Sequence, residues 1–259
     1  MDTTLKHSIV LITGASSGIG ASTAVRFAAA GADLLLCARR HERAAELAAR
    51  LSSEHRINAH AFALDVRDRA AVERTLDALP EGWKRISVLV NNAGLSRGLD
   101  PVHEGNPDDW DEMIDTNVKG LLYVSRKVIP WMVKNGRGHV VNIGSVAGHW
   151  VYPKGNVYNA SKYAVNALTQ GMKMDLLGTP VRVTSVDPGL VETEFSVVRF
   201  HGDTERAAGV YKGMTPLTPD DVADAVLWSV TRPPHVNVSE IILMPTDQAS
   251  PTLVHRTAT

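Results

Sequence analysis

Short apolar runs rich in leucine and β-branched residues recur at 8–12, 34–38, 60–64, 86–91, 139–143, 181–187 and 239–244, with helix-like stretches between them. Parallel strands cannot be joined by tight turns; they need crossover segments, and helical crossovers cover both faces of the sheet. The alternation predicts an α/β fold, a doubly wound parallel sheet of about seven strands with helices on both faces. Helix signals fit the gaps. Asn106-Pro107-Asp108-Asp109 and Thr218-Pro219-Asp220-Asp221 each offer a capping side chain, a proline at the first helical position and acids at the positive dipole end. Gly31 stands where the first helix needs a left-handed residue to stop.

With 259 residues and no repeat, linker or low-complexity tract, the economical expectation is one domain over 1–259. A net charge of -1 without blocks of like charge argues against a nucleic-acid partner. No run approaches the ~18 apolar residues of a membrane span. The opening MDTTLKHS lacks the apolar core of a secretory signal, so a cytoplasmic location is expected. The single cysteine, Cys37, cannot form an internal disulfide and reads as an inert thiol packed in a strand.

Between the first strand and the first helix lies TGASSGIG, residues 13–20. Glycines in such a turn let the backbone approach a diphosphate, and the free N–H groups and dipole at the helix start attract its charge. Gly14, Gly18 and Gly20 follow G-x-x-x-G-x-G rather than the commoner G-x-G-x-x-G. Alone, such a cluster could be only a tight turn. At the end of the second strand stand Arg39 and Arg40, where an acid would suit NAD; two guanidiniums instead suit the 2′-phosphate of NADP. The other reading is a solvated basic start to the next helix. Asp65-Val66 and Asn91-Asn92-Ala93-Gly94 end the third and fourth strands, at the rim where ligands bind in open sheets. Asp65 would suit the adenine amino group, and the small Ala93 and Gly94 would let a cofactor pass.

Tyr158 and Lys162 lie four apart in a helical stretch and share a face. A free tyrosine is under about 1% phenolate at neutral pH, and a neighbouring ammonium is expected to lower its pKa and make it a usable acid or base. Ser145 follows the strand at 139–143 and reaches the same rim. Tyr163 points elsewhere on the helix, whereas Tyr152 lies in a loop that can line the pocket. Tyr-x-x-x-Lys alone is most often just a helix face.

Taken together, these stretches resemble the short-chain dehydrogenases/reductases, from about Ser8 to Arg256: T-G-A-S-S-G-I-G at 13–20, N-N-A-G at 91–94, Asn117 in DTNVKG, Ser145, Y-N-A-S-K at 158–162, and Pro188-Gly189 with Thr193. The resemblance implies a single-domain Rossmann fold and Tyr158 as acid/base. It also implies that Lys162 binds the nicotinamide ribose and tunes Tyr158, that Ser145 orients the carbonyl, and that Asn117 holds a proton-relay water. It implies NADP contacts from Ser16, Ser17 and Ile19 in the turn, from Val66 and Asn92, and from Pro188, Gly189, Val191 and Thr193 at the nicotinamide end. No metal is implied. Relatives of this kind are usually homotetramers, with 107–133 and 156–177 resembling the interface helices.

The stretches at 187–203 and 240–256 resemble the NADP-dependent 3-hydroxy acid dehydrogenases of serine, allo-threonine or 3-hydroxyisobutyrate, and reductases of small anionic aldehydes. A small anionic substrate is therefore expected under a covering segment at about 190–215. Its charge must be met by a cation or several N–H donors. The candidates are Arg199, Tyr152, Lys154 and Asn156, although Arg199 could equally be a solvated or intersubunit charge. A broad carbonyl reductase for neutral ketones is the competing enzyme. A non-catalytic NADP sensor is disfavoured, since it has no need of Asn117, Ser145, Tyr158 and Lys162 together.

Overall fold

The computed structural model describes residues 5–257. Its strands are β1 (Ile9–Thr13), β2 (Asp33–Ala38), β3 (Ala59–Ala63), β4 (Ile86–Asn91), β5 (Gly138–Ile143), β6 (Val181–Pro188) and β7 (Glu240–Leu243). They pair in parallel in one seven-stranded sheet ordered β3-β2-β1-β4-β5-β6-β7. The helices in chain order are α1 (Gly18–Ala29), α2 (His41–His55), α3 (Arg69–Asp77), α4 (Pro107–Ile114), α5 (Leu121–Lys134), α6 (Asn156–Asp175), α7 (Phe195–Arg199), α8 (Thr204–Gly209) and α9 (Pro219–Val230).

Alternation along the strands divides the core in two. Val10, Ile12, Leu34, Leu36, Val88 and Val90 point to one face and meet Phe27 of α1, Leu51 of α2 and Val226 of α9. Leu11, Leu35, Leu89 and Val140 point to the other and meet Val72 and Leu76 of α3 and Val128 and Met132 of α5. A sheet apolar on both faces has to be covered twice, which is why the strands read as unbroken apolar runs. Cys37 is buried here, and burial pushes its thiol up to about 12, consistent with an inert packed residue.

The helix ends follow local chemistry. The Asn106 side chain accepts from Asp108 N at 3.0 Å, Thr218 and Asp221 complete a reciprocal capping box, and Gly31 adopts φ +84° just past α1. One expectation is corrected: the stretch 107–133 is not a uniform helix. A wide, π-type turn at Asp115–Gly120 separates α4 from α5. It is tethered there because the Asn117 amide is drawn out to Leu95 and Ser161, as π-bulges commonly are at functional sites. The sheet order reverses between β1 and β4, and the carboxyl ends of the strands on either side open onto one crevice.

Candidate active site

The crevice is a cleft of about 860 Å³. It begins at the turn between β1 and α1, where Gly14 and Gly18 take φ +66° and +53°, conformations that L side chains rarely adopt. The turn is clamped to β4: Asn92 Nδ2 donates to the carbonyls of Thr13 and Gly14 at 2.9 and 3.1 Å, and Thr13 Oγ1 accepts from the Asn92 and Ala93 amides. Asn92 thus braces the turn with its side chain. Ser17 occupies the N-cap of α1 yet caps nothing in the helix; its Oγ accepts from Arg40 Nη2 at 2.7 Å instead. The first N–H groups of α1 therefore have no side-chain cap, an anion cradle of the kind helix N-termini provide.

Arg39 and Arg40 flank this cradle on the cleft wall, both about half exposed. Arg40 also reaches Ser16 Oγ at 3.3 Å, while Arg39 Nη1 pairs with Glu112 at 3.3 Å. Asp65 and Val66 line the cleft next along the sheet. The Asp65 carboxylate is held by Arg67 through its Nε at 3.0 Å and its Nη2 at 2.6 Å. Although burial pushes its pKa up, the Arg67 hydrogen bonds bring Asp65 below its ordinary value.

Past Ala93 and Gly94 the cleft reaches Ser145, Tyr158 and Lys162. Ser145 is the N-cap of a short turn and accepts from Ala147 N at 3.1 Å. Its position is fixed from below, since a Cβ on the preceding Gly144 would overlap the Asp187 carboxylate. That carboxylate is itself held by Ser185 at 2.6 Å and His149 at 2.8 Å. Gly144→Ala is therefore expected to destabilise by about 1–3 kcal/mol, a Tm drop of roughly 2–10 °C in a thermal melt. An unchanged Tm would mean that Asp187 swings aside freely.

Tyr158 is 8% exposed. Burial pushes its phenol above the ordinary value, and only partly do the Arg199 guanidinium and the Ser145 hydroxyl pull it back. Lys162 donates to Ile143 O at 2.9 Å, with Nζ 5.9 Å from the Tyr158 ring centroid. Burial brings the Lys162 ammonium down to about 8, against a smaller upward pull from Asp187. The net direction for Tyr158 is thus upward, not the downward shift expected beside an ammonium, because in the packed site desolvation outweighs the nearby charge and hydrogen bond.

Other expectations divide. Arg199 enters the cleft, its guanidinium 5.2 Å from the Tyr158 ring centroid and 5.1 Å from that of Phe195, with Nη2 3.1 Å from Tyr152 Oη. Among the described residues its Nε is buried without a partner, and the side chain is half-buried in the cleft rather than spread in solvent. Tyr152 lines the same cleft. Asn156 and Lys154 do not: the chain turns through Lys154 at φ +66°, both residues line a separate small pocket, and Asn156 Nδ2 donates to Asp100 O. Asn117 is buried with both ends of its amide committed, Oδ1 to Leu95 N and Nδ2 to Leu95 O and Ser161 Oγ. Both Nδ2 hydrogens are spent on protein, so the side chain has no donor left for a relay water. Tyr163 turns away and donates to His149 O. Pro188, Gly189, Val191 and Thr193 close the far wall. Unforeseen in the sequence were Glu112, which gathers Arg39, Arg67 and Arg97, and Glu194, which bridges Arg40 and Arg43. Only Arg43 had a signal, one helical turn beyond Arg39 and Arg40.

A family profile described as short chain dehydrogenase matches residues 8–203. The chain is 49% identical over 250 residues to the NADP-dependent 3-hydroxy acid dehydrogenase YdfG of Salmonella typhi, covering 96% of this chain and 99% of that one. It is also 49% identical over 242 residues to sulfoacetaldehyde reductase 2 of Chromohalobacter salexigens, covering 93% and 95% respectively. Among solved structures, the closed form of serine dehydrogenase complexed with NADP+ superposes with a TM-score of 0.90 at 47% identity, covering 96% of this chain and 100% of that one. Similarity that runs almost end to end, on top of a sheet that reverses at the cleft, leaves one assignment: the chain belongs to the short-chain dehydrogenase family.

Proposed function

We propose that this protein is an NADP-dependent oxidoreductase acting on a small 3-hydroxy acid or the corresponding semialdehyde. The observation that carries the reading is Arg199, a cation with an unpartnered buried N–H packed over the Tyr158 ring in the cleft that Arg40 also lines. The relatives named for 3-hydroxy acids, sulfoacetaldehyde and serine act on small molecules with an acid group close to the reacting carbon. A half-buried guanidinium beside the acid/base is the partner such a group requires.

The residues present fit the cofactor. The uncapped start of α1 with Gly14, Ser16, Ser17, Gly18, Ile19 and Gly20 suits a diphosphate, and Arg39 and Arg40 suit a 2′-phosphate. Asp65 and Val66 would flank the adenine, Asn92, Ala93 and Gly94 the middle, and Pro188, Gly189, Val191 and Thr193 the nicotinamide half. Bound NADP(H) supplies the hydride donor or acceptor. Tyr158 gives its proton to the carbonyl oxygen during reduction and takes it back during oxidation, and Ser145 holds the same oxygen. Lys162 spends one of its three N–H donors on Ile143 O and has two for the ribose and Tyr158. Asn117 sets the wide turn, whose main chain would hold the relay water.

An initial-rate screen tests this: serine, allo-threonine and 3-hydroxyisobutyrate against neutral alcohols, each with NADP+ and NAD+. Turnover of the hydroxy acids with NADP+ supports the reading; efficient turnover of neutral substrates only would favour the broad carbonyl reductase. Arg40→Ala should weaken NADPH by about 10-fold or more with little effect on NADH, since a charged contact contributes ~1.5–3 kcal/mol. Arg39→Ala should weaken NADPH as well, since each guanidinium starts from an ion pair, Arg39 with Glu112 and Arg40 with Glu194. An unaltered NADPH dissociation constant in the double variant would place the phosphate elsewhere.

The segment 190–215, with α7 and α8, would cover the substrate within a single domain of 1–259. A homotetramer is the proposed assembly. Exposed apolar side chains sit on α5 and α6 (Leu122, Val133, Met174) and on α9 and β7 (Trp228, Ile242), and an assembly would cover them. Light scattering at micromolar concentration checks this. No helix among the described residues is long and apolar enough to cross a membrane, and a cytoplasmic location is part of the proposal.

A further inference from the structure

Glu194 lies on the cleft wall between Arg40 and the segment that carries Arg199. It immediately precedes α7, the five-residue helix whose last residue is Arg199 over Tyr158. Its own carboxylate points the other way, toward the start of α2, where Oε2 is 2.8 Å from Arg40 Nη1 and Oε1 is 2.8 Å from Arg43 Nη1. Hydrogen bonds from Arg43 and then Arg40 hold Glu194 below the ordinary carboxylate range. Arg40 also donates to Ser16 and Ser17 at the anion cradle. A carboxylate that bridges two guanidiniums beside that cradle takes up the donors a phosphate would use. Arg43, in contrast, does not line the cleft, and among the described residues its side chain pairs with Glu194 alone.

We infer that Glu194 is a specificity-determining residue that competes with the NADP 2′-phosphate for Arg40, and that Arg43 holds Glu194 aside when the phosphate binds. The inference rests on the proposed NADP site. A like charge in reach of the phosphate lowers affinity for NADP(H) and leaves NAD(H) untouched, because NAD(H) has only hydroxyls at that position. Because Glu194 is the residue before α7, its pairing joins the phosphate end of the cleft to the helix that ends in Arg199.

The experiment is fluorescence titration of the purified full-length protein with NADPH and with NADH, without substrate, for wild type, Glu194→Gln, Arg43→Met and the double variant. Glu194→Gln keeps the shape and removes the charge, and should tighten NADPH by about three- to fivefold, the range of an exposed ion pair, with NADH within about twofold. Arg43→Met should weaken NADPH by about threefold, and this loss should vanish in the Glu194→Gln background, since Arg43 acts only through Glu194. Weaker NADPH binding in Glu194→Gln, or an unchanged NADPH-to-NADH ratio, overturns the competition. A loss from Arg43→Met that persists in the double variant overturns its positioning part and makes Arg43 a direct phosphate ligand. A wild type that binds NADPH and NADH equally overturns the NADP site itself and is thereby distinguished from failure of the Glu194 inference alone.

Discussion

Tyr158→Phe is expected to lower turnover by about 100-fold or more, roughly 2.7 kcal/mol of transition-state stabilisation, while NADPH still binds. The substitution keeps the ring, which packs edge-on against Phe195 at 5.6 Å between centroids and under the Arg199 guanidinium. Packing is retained and only the transferable proton is lost. The pH dependence separates this role from a structural one. In oxidation Tyr158 must take a proton, so it works only as phenolate, and burial has pushed its pKa above the ordinary tyrosine value. The rate of oxidation should therefore climb with pH through neutrality and beyond, and the reduction rate, which needs the phenol, should not. In Tyr158→Phe the alkaline climb should disappear. Near-normal turnover, or a variant that keeps the climb, would return Tyr158 to being one face of a helix.

The direction of that pKa shift marks where sequence reading stopped. The spacing of Tyr158 and Lys162 is local, and α6 delivers both to one wall of the cleft as expected. What decides the phenol's ionisation is burial, and part of that burial comes from Phe195 and Arg199, which reach it from α7 after a strand and a loop have intervened. Charge clusters fail to show for the same reason. Glu112 meets Arg39 and Arg67 from 73 and 45 positions away, and nothing in either neighbourhood announces the other. Loops carry no period, so Asn156 and Tyr152 look equivalent in sequence, yet a left-handed turn at Lys154 sends them to different pockets. The strands were legible to within one residue at each end, because a sheet covered on both faces requires continuous apolar runs, and caps such as Asn106 and Thr218 act over three residues. The glycine turn was legible because only glycine accepts φ +66° and +53° cheaply. Its lock, Asn92 on the carbonyls of Thr13 and Gly14, looked in sequence like a cofactor contact and is in the structure first a brace.

Arg199→Met should discriminate between substrates as no other single change in the cleft does. The guanidinium sits about 5 Å from the ring centroids of both Tyr158 and Phe195, a packing that methionine can largely replace. What methionine cannot replace is charge. Among the described residues the one side-chain hydrogen bond of Arg199 goes to a phenol, Tyr152 Oη at 3.1 Å, and its buried Nε has no partner. A carboxylate bound beside this guanidinium would find a donor not already used by the protein. For 3-hydroxyisobutyrate the variant should lose about 10–100-fold in kcat/KM, the equivalent of one charge-assisted hydrogen bond. For 2-methyl-1,3-propanediol, which replaces the carboxylate by a neutral alcohol, the loss should stay within about threefold. A second reading then follows from Tyr152, whose phenol burial pushes up to about 12 despite the neighbouring arginine. It remains a donor over the working pH range, so Tyr152→Phe should remove a smaller part of the same preference, about three- to tenfold, for want of one neutral hydrogen bond. Equal losses for the charged and neutral substrates in Arg199→Met would show that the arginine shapes the covering segment, and would leave the carboxylate to Tyr152 and backbone N–H groups.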